Sequence, residues 1–100
     1  MKYNKLIRDK IPDVIREKGG MPVTHVAGDD EYWEKLKEKL REEVGELIAD
    51  EKMDEIADIL EVLEAIEAYK GFDRDEINRI KAKKAEERGA FKQRIILDES

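Results

Sequence analysis

Four carboxylates in the middle of the chain have the spacing of a divalent-metal site. They form two pairs of residues three apart, which places both acids of a pair on one side of a helix: Glu43 with Glu46, and Glu55 with Asp58. Hard carboxylate oxygens suit magnesium or manganese far better than zinc. We therefore predict that these four residues bind a catalytic Mg²⁺, with Mn²⁺ also possible.

The alternative is that these acids form salt bridges or border a solvated surface, because such spacings arise easily in a chain with 26 acidic residues. The apolar pattern favours the metal. On a helical wheel Glu43 lies about 20° from Leu36, inside the apolar stripe, and Glu55 falls between Val62 and Ile66. An ionised carboxylate that faces inward needs a cation or strong donors to compensate its burial.

The sequence predicts an all-α fold in which helical hairpins form a four-helix-bundle-like core completed by oligomerisation. Short extended segments are expected near residues 22–27 and 94–97, and the apolar run 95–97 could be a strand or a docked tail. Turn, capping and periodicity signals predict four helices: from near Pro12 to Gly19-Gly20, from a cap at Asp29 or Asp30 to about Asp50, from about Asp54 to Lys70, and from a capping-box-like Asp73 to about Arg88.

The two acid pairs converge only if the chain breaks near residues 50–53, where the sequence has neither Gly nor Pro. One continuous helix is the alternative. It would place Glu46 and Glu55 about 180° apart, because each residue adds 100° of rotation. It would also put the apolar stripes of the second and third helices about 110° out of phase. We therefore expect a turn and an antiparallel hairpin with all four carboxylates at one level.

Composition indicates one domain spanning residues 1–100. The chain is 46% charged with a formal net charge of −6, and it has no cysteine, which excludes disulfide scaffolds and thiolate metal sites. It contains no apolar stretch of the length needed to cross a bilayer, and its first residues have no apolar signal core. We expect a soluble cytoplasmic protein with no membrane and no nucleic-acid polymer as partner.

Charge is segregated along the chain. Residues 29–76 hold 19 acids against seven bases, whereas residues 1–18 and 79–94 are net basic. Basic ends folded over an acidic middle would place phosphate-binding groups beside a metal site. The candidates for substrate binding are five cations and one aromatic residue: Lys5, Arg8, Lys10, Trp33, Lys84 and Arg88. The alternative for each cation is an ordinary surface residue, and it is favoured for Lys10. For Trp33, a place in the core or at a subunit interface is favoured over stacking on a base.

A family resemblance covers nearly the whole chain. Glu42-Glu43-Val44-Gly45-Glu46 followed by Glu55-Ile56-Ala57-Asp58 resembles the EExxE…ExxD signature of MazG-like all-α nucleotide pyrophosphohydrolases. The opening residues 3–12 and the closing residues 84–91 are similar to the ends of a single-domain branch labelled phosphoribosyl-ATP pyrophosphohydrolase-like. The eight residues between Glu46 and Glu55 are fewer than in most relatives.

The resemblance implies that the chain is a Mg²⁺-dependent hydrolase of nucleoside triphosphates, canonical or damaged, which it would cleave between the α and β phosphates in a house-cleaning role. Glu43, Glu46, Glu55 and Asp58 would be the metal ligands, and Glu43 or Glu46 would also orient or deprotonate the attacking water. Glu42 would lie outside the ligand set, in the outer shell or a salt bridge.

Two other functions remain open: a phosphoribosyl-ATP pyrophosphatase of histidine biosynthesis, and a non-enzymatic helical interaction module. The residues after Asp58 lack the Tyr-His expected of the biosynthetic enzymes. We also expect a homo-oligomer, a dimer or a dimer of dimers, because two hairpins that pair through Leu, Ile and Val faces would complete a core that one short chain cannot enclose.

Overall fold

The computed structural model describes residues 3–100, and four α-helices account for its regular structure. In chain order they are α1 (Ile11–Glu17), α2 (Asp29–Asp50), α3 (Met53–Lys70) and α4 (Arg74–Arg88). No strand occurs within the described range. The predicted all-α fold is therefore confirmed, and the helices begin and end close to the predicted residues.

The predicted break between the second and third helices is present as a two-residue link. Glu51 takes a left-handed conformation, with φ 54° and ψ 41°, and its N–H donates to the Leu47 carbonyl at 2.9 Å. Lys52 then adopts an extended conformation. A left-handed residue ends a helix in the way that glycine commonly does, so α2 and α3 fold back on each other as an antiparallel hairpin.

The core of the hairpin is small. Leu36 on α2 is fully buried, Val62 on α3 is nearly so, and the third buried residue among those described is the acidic Glu43. The radius of gyration is 17.9 Å and the longest dimension 56 Å, whereas a compact domain of this size has a radius of gyration of about 13 Å. The chain is elongated and leaves much apolar surface exposed.

The cap predicted for α2 was wrong. Gly28 is the N-cap residue, and neither Asp29 nor Asp30 caps the helix, because both lie inside its first turn. Acidic side chains at that position still interact favourably with the positive end of the helix dipole. The predicted cap of α4 is confirmed, since Asp73 accepts a hydrogen bond from the Glu76 N–H at 3.2 Å.

The C-terminal residues do not pack against the helices. Ile95, Ile96 and Leu97 are 77–80% exposed and form no strand. Both interpretations of this run, a strand and a docked tail, were therefore wrong. Residues 22–27, the other segment predicted to be extended, likewise lie outside any helix or strand. None of the helices within residues 3–100 is long and apolar enough to span a membrane.

Candidate metal centre

The hairpin brings the four predicted ligands together near its turn. One carboxylate oxygen from each residue lies within 4.8 Å of the others, and we call this set the carboxylate cluster: Glu43, Glu46, Glu55 and Asp58. Oxygens on opposite sides of one Mg²⁺ are about 4.2 Å apart. The four carboxylates therefore lie close enough together for side-chain adjustment to bring them onto a single ion.

Burial differs sharply within the carboxylate cluster. Glu43 exposes only 6% of its surface, Glu55 and Asp58 are half-buried, and Glu46 is exposed. Within residues 3–100, the buried Oε2 atoms of Glu43 and Glu55 have no hydrogen-bond partner. A buried charged oxygen without a partner carries a large desolvation cost. These two atoms are the ones that a bound cation would satisfy.

Two side chains supply positive charge to the carboxylate cluster. Lys39 Nζ lies 3.2 Å from Glu43 Oε1, and Arg8 Nη2 donates to Asp58 Oδ1 at 2.8 Å. Four ionised carboxylates against two cations leave an excess of two negative charges at this place. One divalent cation would balance these two negative charges. The donor set consists entirely of hard oxygens, which Mg²⁺ and Mn²⁺ prefer.

Repulsion between like charges and burial raise the pKa of two members of the carboxylate cluster. The pKa of Glu46 is raised chiefly by the negative charge of Glu43, and that of Glu55 chiefly by burial and then by the charge of Glu46. Like charges held close together disfavour ionisation. The electrostatics therefore agree with the unsatisfied oxygens in indicating a site that lacks positive charge.

Glu42 stands outside the carboxylate cluster, as predicted. Its carboxylate accepts a hydrogen bond from Lys5 Nζ at 3.1 Å and lies 3.6 Å from Lys39 Nζ. Burial raises the pKa of Glu42, but the hydrogen bond from Lys5 and the charge of Lys39 outweigh it and lower the pKa overall. Glu42 is thus a salt-bridged neighbour of the cluster.

Of the predicted phosphate-binding cations, the structure brings two to the carboxylate cluster or its border. Arg8 contacts Asp58 directly, and Lys5 contacts Glu42 beside it. Lys10 is the exposed N-cap residue of α1. Lys84 and Arg88 are exposed on α4, and within residues 3–100 neither forms an ion pair with the cluster. A role for these last three in substrate binding stays a prediction.

Trp33 lies at the open end of the hairpin, about 15 Å along α2 from Glu43 at 1.5 Å per residue. Its indole stacks on the Tyr69 ring, with centroids 5.7 Å apart and an interplanar angle of 9°. Lys70 Nζ lies 4.2 Å from the indole centroid and Lys37 Nζ 5.3 Å. Because these contacts link α2 to α3, they support the interpretation of Trp33 as packing; base stacking stays a prediction.

Sequence reasoning missed two features of the site. Lys39, only 17% exposed at its side chain, is the cation paired with Glu43; its position four residues earlier on the same helix was the available signal. Tyr69 is the second: nothing in the sequence indicated that its ring would stack on Trp33 and that its hydroxyl would donate to the Asp29 carbonyl at 3.3 Å.

Comparison with known proteins gives no functional assignment. No protein-family model matches the chain, and no solved structure matches it. A protein from Mycolicibacterium smegmatis, described as uncharacterized, is 50% identical over 50 residues, which are 50% of this chain and 51% of that protein. The chain thus spans about half the length of the curated relative that it matches.

Proposed function

We propose that the protein is a Mg²⁺- or Mn²⁺-dependent nucleoside triphosphate pyrophosphohydrolase whose metal site is the carboxylate cluster. The observation that carries the proposal is the convergence of four carboxylates within 4.8 Å, at a place where Glu43 is buried and its Oε2 has no hydrogen-bond partner within residues 3–100. A purely structural ion pair would leave fewer unsatisfied oxygens. The resemblance to the MazG-like signature supports the choice of reaction.

The members of the carboxylate cluster would have different roles according to their burial. Glu43 and Glu55, the more inward members, would hold the ion together with Asp58, and the bound ion would supply charge neutralisation and acidification of water. Glu46 is the exposed member and can reach a water molecule. In the proposed reaction Glu46 accepts a proton from water, the water oxygen bonds to the α phosphorus, and the bond to the bridging oxygen breaks to release pyrophosphate.

Lys5 and Arg8 would contribute the positive charge that a triphosphate requires. Both lie on the acidic side of the hairpin, where Lys5 pairs with Glu42 and Arg8 with Asp58. Arginine matches phosphate oxygens with a planar fork of donors, whereas lysine acts as a point charge. A cation beside a metal site stabilises the negative charge that develops on the leaving pyrophosphate.

We further propose that the active form is a homo-oligomer, with a dimer as its smallest unit. Five apolar side chains near the hairpin turn are exposed, and we call them the apolar face: Val44, Ile48, Met53, Ile56 and Leu60. Val44 and Ile48 are each two residues from Glu46, and Ile56 and Leu60 two from Asp58. Two residues rotate the chain by 200°, so these four side chains point away from Glu46 and Asp58.

A second copy is the occupant that best fits the apolar face. Within residues 3–100 only Leu36 and Val62 are buried apolar residues, and two apolar side chains are too few to stabilise a domain of this length. Two hairpins packed through these faces would form a four-helix core and leave a carboxylate cluster open on each outer side. Light scattering should give a dimer or larger at micromolar concentration, and Ile48→Glu should dissociate it. A monomeric wild type would contradict this part of the proposal.

The decisive activity test is pyrophosphate release from a panel of canonical and modified nucleoside triphosphates and phosphoribosyl-ATP, each with Mg²⁺ or with EDTA. We expect Mg²⁺-dependent release from at least one nucleoside triphosphate, and its loss in Glu43→Gln and Glu55→Gln. Glu64→Gln is the matched control, because Glu64 is an exposed acid on α3 about 9 Å beyond Asp58. Absence of release from every triphosphate, or full activity of both variants, would refute the proposal.

A further inference from the structure

The N-terminal residues 3–10, which we call the N-terminal strap, are tied to both helices of the hairpin. The strap contains no helix or strand. Lys5 pairs with Glu42 on α2, Arg8 pairs with Asp58 on α3, and Leu6 and Ile7 between them are half-buried. The strap therefore crosses the acidic side of the hairpin, where its two cations pair with acids of α2 and α3.

Asp58 has two competing partners in this arrangement. It belongs to the carboxylate cluster, and it is also the only acid within residues 3–100 that pairs with Arg8. A divalent cation in the cluster would repel the guanidinium and compete for the charge of Asp58. The side chains of Arg8 and Asp58 are 56% and 37% exposed, and an ion pair that exposed shifts an equilibrium by about fivefold at most. A bound metal can therefore displace Arg8 readily.

Arg8 also keeps free hydrogen-bonding capacity. Within residues 3–100 it donates only from Nη2, to one oxygen of Asp58. Arg74, by contrast, donates from both Nε and Nη2 to the two oxygens of Glu67, each at 2.7 Å. Arg74 is thus held by a bidentate structural pair, whereas Arg8 is held by one hydrogen bond and can turn its other donors toward an anion. A phosphate group next to a metal is the anion whose geometry matches that fork.

We propose that Arg8 exchanges partners during the working cycle: it pairs with Asp58 when the carboxylate cluster holds no metal, and with a phosphate of the metal-bound substrate when it does. This inference rests on the proposed metal site. The strap then has two effects of opposite sign, because Arg8 weakens metal binding to the free protein and strengthens binding of the polyphosphate afterwards. A residue that only stabilised the fold would not produce that pair of effects.

The test uses calorimetric titration of the full chain with MnCl₂ alone, then of the Mn²⁺-loaded protein with inorganic tripolyphosphate. Relative to wild type, Arg8→Gln should bind Mn²⁺ about two- to fivefold more tightly, which is the effect of losing one exposed ion pair. The same variant should bind tripolyphosphate at least about tenfold more weakly, as expected when a charge-assisted contact is lost. Arg8→Lys should bind Mn²⁺ like wild type but still bind tripolyphosphate more weakly.

Arg16→Gln is the matched control, because Arg16 forms an exposed ion pair of similar length, 2.9 Å, with Asp13 on α1. It should change neither affinity. Unchanged or weaker Mn²⁺ binding by Arg8→Gln would overturn the exchange, and so would unchanged tripolyphosphate binding. A wild type that binds no Mn²⁺ would overturn the exchange and the proposed function together. If both affinity changes occur but no nucleotide is hydrolysed, the exchange stands and only the proposed reaction fails.

Discussion

The two ends of the α2–α3 hairpin are built in opposite ways. At the open end, the fully buried Leu36 lies near the Trp33–Tyr69 stack, which joins the helices, and lysines cover the indole. At the turn end, the interior position on α2 is taken by Glu43, and the helices meet through four carboxylates. Among the residues that the structure describes, the two buried side-chain oxygens without a hydrogen-bond partner, Glu43 Oε2 and Glu55 Oε2, both lie at the turn end.

This difference indicates that the carboxylates lower the stability of the hairpin at its turn end. Buried carboxylates that repel one another reduce the free energy of unfolding, and a core of this size provides only a small free energy of unfolding. Natural proteins retain such unfavourable groups mainly at functional sites. The comparison predicts that removing interactions at the open end weakens the fold, whereas neutralising the turn end strengthens it.

The largest effect should come from the open end. Leu36→Ala removes the one side chain that is fully buried among residues 3–100. We expect it to lower the free energy of unfolding by about 2–5 kcal/mol, measured by urea denaturation. Val26→Ala is the control, since Val26 is 98% exposed and should change stability by less than about 0.5 kcal/mol. A loss below about 1 kcal/mol for Leu36→Ala would mean that the open end is not the stabilising one.

Metal should stabilise the turn end by a comparable amount. Free Mg²⁺ at 100 times its dissociation constant adds about 2.7 kcal/mol to the free energy of unfolding, which raises the melting temperature by roughly 10–20 °C in a domain of this size. Thermal unfolding followed by circular dichroism, at constant ionic strength, measures the shift. Glu43→Gln should abolish it and Glu64→Gln should retain it. An equal shift in Glu43→Gln would mean that Mg²⁺ binds at another site, or that the shift does not come from binding at a specific site.

Glu43→Leu tests the comparison from the opposite direction. The wheel places residue 43 in the apolar stripe, and replacing a buried charged group by an apolar one of similar volume is often neutral or stabilising. Lys39 keeps Glu42 as a partner at 3.6 Å. We expect the metal-free variant to be about 1–3 kcal/mol more stable than wild type in urea denaturation, with no Mg²⁺-dependent shift. Destabilisation would show that the Lys39–Glu43 pair holds the turn end together.

The sequence contained enough information to predict this contrast at the level of helices. Glu43 interrupts an apolar stripe whose phase Leu36 fixes, and a residue out of place on a regular pattern is visible in sequence alone. The break at Glu51 followed from the mismatch of two stripes, even though no glycine marks it. Periodicity carries this information because it reports which side of a helix is buried.

Contacts between elements could not be predicted in the same way. The pairing of Arg8 with Asp58 joins residues 50 positions apart, and helical phase says nothing about where a segment without regular structure crosses a hairpin. The tail run 95–97 was misjudged for a related reason. Apolar composition indicated burial, but whether a surface exists to bury it depends on the arrangement of the whole chain.

The smallest expected effect is in the pH dependence of the turn end. The folded-state pKa values of Glu46 and Glu55 are raised above 4.5, so the folded protein binds protons more readily than the unfolded chain does. Their favourable contribution is complete below pH 4.5 and is lost as the pH rises through the raised values. In metal-free buffer, Glu46→Gln and Glu55→Gln should therefore gain in melting temperature relative to wild type as the pH increases.

Glu34→Gln provides a control of opposite sign for this pH dependence. The hydrogen bond and charge of Lys37 lower the pKa of Glu34, so its contribution is present above pH 4.5 and is lost as the pH falls through the lowered value. This variant should lose stability relative to wild type as the pH increases. The same pH profile in all three variants would contradict this prediction. It would mean that the carboxylates of the cluster do not differ from Glu34, which is paired with Lys37, in the direction of their pKa shifts.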